Sequence, residues 1–232
     1  MKDDIKTVLT SLSDHPHVVY VAAEIMQKFP YLIGALARQW EEFGEDRALG
    51  DAVLGYAKFT LESMKLQVKF QQTHIYEPKS YAEAAAEVYQ DRHYMMGLYL
   101  PGILLSHYLW RHHYIQQGFF RDYFVPQLSK TDAVFYDVGV GTGFYSRKML
   151  TSTVLRGEGF DLSPYSMAYA QNVLKRYGLA ERYKENLRDV TTPPSIPVAD
   201  AIVNVEVLEH LEDPLFFLRA LYAMLRPGGH GF

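Results

Sequence analysis

The chain has 232 residues, 48% hydrophobic and 22% charged, with a formal net charge of −4. That is the composition of a globular protein with room for one large domain or two modest ones, and an acidic chain with no run of lysines and arginines argues against nucleic acid as a partner. Cysteine is absent, which removes disulfides, thiolate metal sites and cysteine nucleophiles and suits a reducing compartment, so a cytoplasmic location is expected.

No basic stretch leading into an apolar one opens the chain, and the most apolar run, 98–110, is cut by Pro101, Ser106 and His107. Neither a signal peptide nor a membrane span is expected. From Ile5 to about Gln127 the pattern is helical, with breaks at Phe29-Pro30, Phe43-Gly44, Glu77-Pro78 and Leu100-Pro101-Gly102, which predicts four or five helices. Ser13 or Asp14 caps a helix over 17–28. Ser80 with Glu83 forms a capping box for a helix near Tyr81, on which Tyr89, His93, Met96 and Leu100 share one face. That stripe reads as core, and a lid over a substrate or cofactor is the sharper alternative. Rings crowd 102–126. There His107, His112 and His113 lack the i, i+4 spacing of helical metal ligands, so packing is the plain reading, and His113 is a candidate general base against a substrate hydroxyl.

The short polar stretch Gln127–Asp132 is the expected boundary between a helical region, 1–130, and a second domain, 131–232. Beyond it strands and helices alternate, which predicts a parallel sheet covered on both faces. Val134–Val138 is the first strand. Gly139, Gly141 and Gly143 then make a tight turn in which a ligand can approach the main chain, and a helix follows over 144–152. Val154–Phe160 is the second strand, ending in Asp161. Ser163 and Pro164 cap a helix that runs to about Tyr177 and is closed by Gly178. An acid at the end of the second strand is placed to accept both hydroxyls of a ribose. The third glycine of a dinucleotide fingerprint would fall on Phe144, and no phosphate-binding P-loop is present. Arg182–Glu185 is the third strand, and the Pro-rich 192–197 is loop. Ala199 onward is the fourth strand, followed by a helix from Asp213-Pro214 with Leu218, Leu221, Tyr222 and Leu225 on one face.

Asp137-x-Gly139-x-Gly141-x-Gly143 resembles the first motif of the class I S-adenosylmethionine-dependent methyltransferases. Glu206-Val207-Leu208-Glu209-His210 resembles a signature of their small-molecule members, and Leu225-Arg226-Pro227-Gly228-Gly229 their turn before the fifth strand. The resemblance covers about 134–229. It implies a Rossmann-like α/β fold with S-adenosylmethionine as cofactor and S-adenosylhomocysteine as product. Asp137 and the three glycines would face the methionine part, Asp161 with Leu162 the ribose, and Asn186 (in the place of the usual acid) with Leu187 the adenine; Asn204 completes the implied set. Glu206, Glu209 and His210 also match the start of a divalent-metal motif of some relatives, and recur in members without metal; His210 is a second candidate for the catalytic base.

The family's sheet has seven strands, whereas Phe232 falls where the fifth should only be starting. Four strands with an open apolar edge are therefore expected, in a domain cut short or finished by another chain. The implied reaction is methyl transfer to O or N of a small aromatic or amphipathic metabolite, with the N-terminal helices covering the acceptor or joining copies into a homo-oligomer. Base methylation is disfavoured by the absence of cysteine and of an Asn/Asp-Pro-Pro-aromatic tetrad. Protein methylation, a non-catalytic adaptor and an NAD-dependent oxidoreductase are the alternatives.

Overall fold

A computed structural model describes residues 49–75, 89, 91–128, 133–190 and 198–232. The expected helix over 17–28 and the capping box at Ser80 lie outside them. Two compact units divide the chain, Met1–Tyr76 with Arg92–Gly118 and Glu77–Asp91 with Phe119–Phe232.

In the first unit, helix α1 (Leu49–Thr73) packs on a π-helical turn Met95–Tyr99, which continues a short helical run Arg92–Tyr94, and on α2 (Leu100–Leu109), and α3 (Arg111–Phe119) follows. The expected break at Pro101 does not occur. Proline removes one N–H and crowds the preceding turn, and here the wider π turn takes up that misfit, with Leu100 N–H reaching back to Met95 O. Leu100, Leu104, Leu105, Tyr108 and Leu109 are buried, and the Phe59 ring stacks on Trp110 at 5.7 Å. Among the described residues no helix is long and apolar enough to cross a membrane.

The second unit opens with a π-helical turn (Phe120–Phe124) and a 3₁₀ turn (Val125–Gln127), then alternates: β1 Val134–Val138, α4 Phe144–Ser152, β2 Arg156–Asp161, α5 Pro164–Arg176, β3 Tyr183–Leu187, β4 Ala199–Val203, α6 Pro214–Met224 and β5 Leu225–Gly231. The sheet is parallel with strand order β3-β2-β1-β4-β5. The reversal between β1 and β4 is where such sheets bind ligands, at the carboxyl ends of the strands. Alternation along β1 sends Tyr136 and Val138 into a core with Phe160, Ile202 and Phe217, Leu221 and Met224 of α6. Phe135 and Asp137 face the other way, towards α4.

The expectation of four strands is corrected: a fifth is in place. Leu225 lies opposite Ala199, the register then shifts through the Pro-Gly-Gly, and His230 and Gly231 lie opposite Ala201 and Ile202. Phe232 N–H bonds Ile202 O at 2.9 Å, and Asn204 N–H bonds Phe232 O at 2.8 Å. A proline and a positive-φ glycine at 228 are accommodated because this stretch is an edge with an irregular register, where a missing donor costs little. The contact boundary also precedes the expected 127–132, since Phe120 and Phe124 pack on Phe232.

Candidate cofactor site

The turn after β1 is built as its glycines predict. Gly139, Gly141 and Gly143 hold φ of 81°, 52° and 70°, a region L-residues with a Cβ enter at a cost. Gly139 N–H is tied to Phe160 O of β2 (2.8 Å), Gly143 N–H closes on Val140 O (2.8 Å), and Arg147 N–H to Gly143 O (2.9 Å) starts α4. The three α-carbons have different surroundings. A methyl built on Gly139 would sit 2.3 Å from Val207 Cγ2 and one on Gly143 2.8 Å from Ala170 Cβ, whereas at Gly141 nothing lies nearer than Gly139 O at 4.0 Å. Two of the glycines therefore admit the β4 loop and α5, and Gly141 is the one whose face is open to a ligand.

Asp161 closes on this turn from the end of β2. Its carboxylate accepts from Gly141 N–H (3.0 Å) and Ser163 N–H (2.8 Å), and from the N–H groups of Val140 and Leu162. Burial pushes its pKa above the usual carboxylate value, and the four donors oppose that. Ser163 caps α5 by accepting from Ser166 N–H, and its own hydroxyl donates to Tyr89 O at 3.0 Å. Leu162 stands half-buried beside them.

Asp137 does not reach for a ligand directly. It is buried (3% exposed) and accepts from Ser146 Oγ at 2.5 Å and from the Ser146 N–H, so it caps the first turn of α4 from beneath the loop. Burial raises its carboxyl to about 7, and the nearby Asp161 charge adds to the effect. Asn204 is likewise spent on structure: its Nδ2 donates to Val138 O at 2.9 Å, tying the ends of β1 and β4.

Asn186 is placed differently from its expected role. β3 runs to Leu187 instead of stopping at Glu185, and the two-residue period puts Asn186, opposite Phe160, on the face away from Asp161. Its amide donates to Glu158 Oε2 (3.0 Å) and Gly159 O (3.3 Å). Leu187 pairs with Asp161, stands on the crevice face and is 58% exposed, as an apolar neighbour of a flat ring requires.

Glu206, Glu209 and His210 do not converge as metal ligands. Among the described residues no three His, Cys, Asp or Glu side chains lie close enough together to hold a metal ion. Glu206 has φ of 56°, and its carboxyl lies within hydrogen-bond reach of that of Glu209. Burial, then the Glu209 charge, raises its carboxyl. His210 Nε2 lies 3.7 Å from Glu209 Oε1. His113, the other candidate base, belongs to the helical unit. Its Nδ1 is 2.9 Å from Ser106 Oγ, whose own proton goes to Ile103 O, so His113 is the donor there. Burial depresses it to about 4, which makes it a weak base at neutral pH.

Four neighbours of the loop were not foreseen: Tyr145, Ser146, Tyr183 and Val207. Tyr145 packs edge-on to Phe120 (5.0 Å) and near Phe232 (5.8 Å), while Phe119 and Tyr123, 56% and 63% exposed, stack at 5.1 Å. Since Tyr145 is two residues past Gly143 and Phe232 follows β5, this aromatic cluster lies at the carboxyl end of the sheet. A glycine pair in the second strand, Gly157 and Gly159, was the only trace of Tyr183 in the sequence.

Residues 136–232 match the family model described as a methyltransferase domain. Over 99 residues the chain is 33% identical to the ubiquinone biosynthesis O-methyltransferase of Pseudomonas putida, covering 41% of this chain and 41% of that one. The protein of the same name from Cereibacter sphaeroides is 34% identical over 99 residues, 40% of this chain and 37% of its own. The chain thus spans about two fifths of the length of the curated relatives it matches. A Geobacter sulfurreducens S-adenosylmethionine-dependent methyltransferase, solved with S-adenosylhomocysteine, is 21% identical with a TM-score of 0.40, over 46% of this chain and 43% of that one. With its glycine turn and its parallel five-stranded sheet, the segment matched by that model is thus similar to methyltransferase domains in sequence.

Proposed function

We propose that the chain binds S-adenosylmethionine at the Gly139–Gly143 turn and transfers its methyl group to a small aromatic acceptor, to oxygen by preference over nitrogen. The observation that carries this reading is the open face of Gly141 with the Asp161 carboxylate bonded to its N–H. Bound there, the cofactor supplies an electrophilic methyl on a sulfonium. Asp161 would take the ribose hydroxyls, Leu187 would lie on the adenine, and the bare main chain at Gly141 would meet the methionine part. Asn186 supplies no adenine contact, because its amide is turned to Glu158.

Methyl transfer is an in-line displacement that needs positioning and exclusion of water more than acid–base work. The rings of Phe119, Tyr123, Tyr145 and Phe232 suit a planar acceptor. The names of the matched relatives favour oxygen as the accepting atom. Calorimetry with S-adenosylhomocysteine tests the reading. The unaltered protein should bind, and Asp161→Ala and the shape-preserving Asp161→Asn should each bind about tenfold to a hundredfold more weakly, the loss of one or two charge-assisted hydrogen bonds. No binding by the unaltered protein, or binding by both variants as tight as that of the unaltered protein, would overturn it. A non-catalytic binder is the second reading, favoured by the displaced Asn186; turnover of a phenol panel separates the two.

A further inference from the structure

Three side chains from three elements meet beneath the glycine turn. Tyr183 opens β3, and its ring lies across β2 because that strand carries no side chains at 157 and 159. A methyl on Gly157 would come 2.8 Å from the Tyr183 ring, and one on Gly159 would come 2.0 Å from its hydroxyl. The phenol so placed is 2.7 Å from Ser146 Oγ, which is 2.5 Å from Asp137 Oδ2. A serine has one proton to give and a carboxylate has none. With Ser146 donating to Asp137, the phenol must donate to Ser146. Burial, then the Asp137 charge, holds the phenol well above its usual range, so it keeps its proton.

We propose that Tyr183 is a positioning residue of the cradle: its phenolic O–H commits the Ser146 hydroxyl to Asp137, so that Asp137 anchors the first turn of α4 beneath the glycine turn as a carboxylate. The groups that act on Asp137 are Ser146 and Tyr145 from α4, Asp161 from β2, and Tyr183 from β3 with Glu185 behind it. They are hydroxyls and acids, so the Asp137 charge depends on its donors. Two glycines in the middle of a strand weaken it, and the space they leave is filled by Tyr183, together with Phe135 over Gly157 and Val140 over Gly159.

The proposal rests on the methyl-donor reading for its ligand arm alone. The direct test follows Asp137 by carbon NMR in protein labelled at aspartate, from pH 5 to 9. The unaltered protein should titrate near 7. Tyr183→Phe keeps the ring and should move the midpoint up by about half to one unit, a threefold to tenfold change in the ionisation constant. Ser146→Ala should move it at least as far, and adding Tyr183→Phe to Ser146→Ala should move it no further. Thermal melting of each variant checks the fold. In calorimetry, Tyr183→Phe should bind S-adenosylhomocysteine about threefold to fivefold more weakly at pH 6 and within about twofold of the unaltered protein at pH 8.5. A midpoint unmoved by Tyr183→Phe, or shifts that simply add in the double variant, would overturn the proposal. If the unaltered protein bound no S-adenosylhomocysteine, the donor reading would fall, and the titration would still decide the role of Tyr183.

Discussion

Gly139→Ala separates backbone strain from steric contact at the centre of the site. The added Cβ must sit at φ of 81°, which costs an L-residue about 1–2 kcal/mol. It would also lie 2.3 Å from Val207 Cγ2, where apolar carbons normally stay about 3.5–4.0 Å apart. Relief requires a shift of more than an ångström by a β-branched side chain packed against the sheet core, and overpacking of that kind costs about 1–3 kcal/mol. The substitution should therefore destabilise the C-terminal unit by roughly 2–5 kcal/mol. Truncating Val207 to Ala removes the offending methyl and leaves its Cβ at 3.7 Å, an ordinary contact. In that background Gly139→Ala should cost only the backbone part, so a double-mutant cycle should return a coupling of about 1–3 kcal/mol. Urea denaturation followed by circular dichroism measures all four corners of the cycle. Equal costs of Gly139→Ala in the two backgrounds would refute the contact, and a cost near zero would refute the left-handed turn itself.

Gly159→Ala should drive the Tyr183 hydroxyl off Ser146 and cost about 2–4 kcal/mol, overpacking together with a lost buried hydrogen bond, read by the same denaturation. A loss no greater than that of an exposed surface substitution would show that the ring does not lie over β2. In the helical unit, His113 is depressed to about 4 from an unfolded value of 6.5. The unfolded chain then binds the extra proton between those values, so the contribution of His113 is full above pH 6.5 and is lost as the pH falls towards 4, by roughly 3 kcal/mol. Thermal melts from pH 4 to 8 should show that decline, and His113→Gln should flatten it. An unchanged slope in the variant would place the acid sensitivity elsewhere.

Much of the second unit was legible because its signals are local. Val134–Val138 and 144–152 were read with their observed bounds, since an apolar strand, alternating glycines and a good helix former follow one another without a gap. Ser163-Pro164 and Gly178 bracket α5 because cap and stop residues act within a turn of themselves. Asp161 was found at the end of β2 by the same local logic. Pro101 misled, because whether a proline breaks a helix depends on whether the turn before it can widen, and that was settled by packing against α1.

The residues of the chain by themselves determined where the cradle is, which elements flank it and that an acid stands one strand over, for these are consequences of backbone conformation and of side-chain spacing along a few consecutive residues. Only the tertiary structure decided which atoms are free to meet a ligand. A strand that ends two residues later turned Asn186 to the far face, Val207 and Ala170 took up the space beside two of the three glycines, and Tyr183, 37 residues from Ser146, came to bond the serine that bonds Asp137. Each of these depends on register and close packing between segments far apart in sequence, where a displacement of one residue or one ångström reverses the outcome.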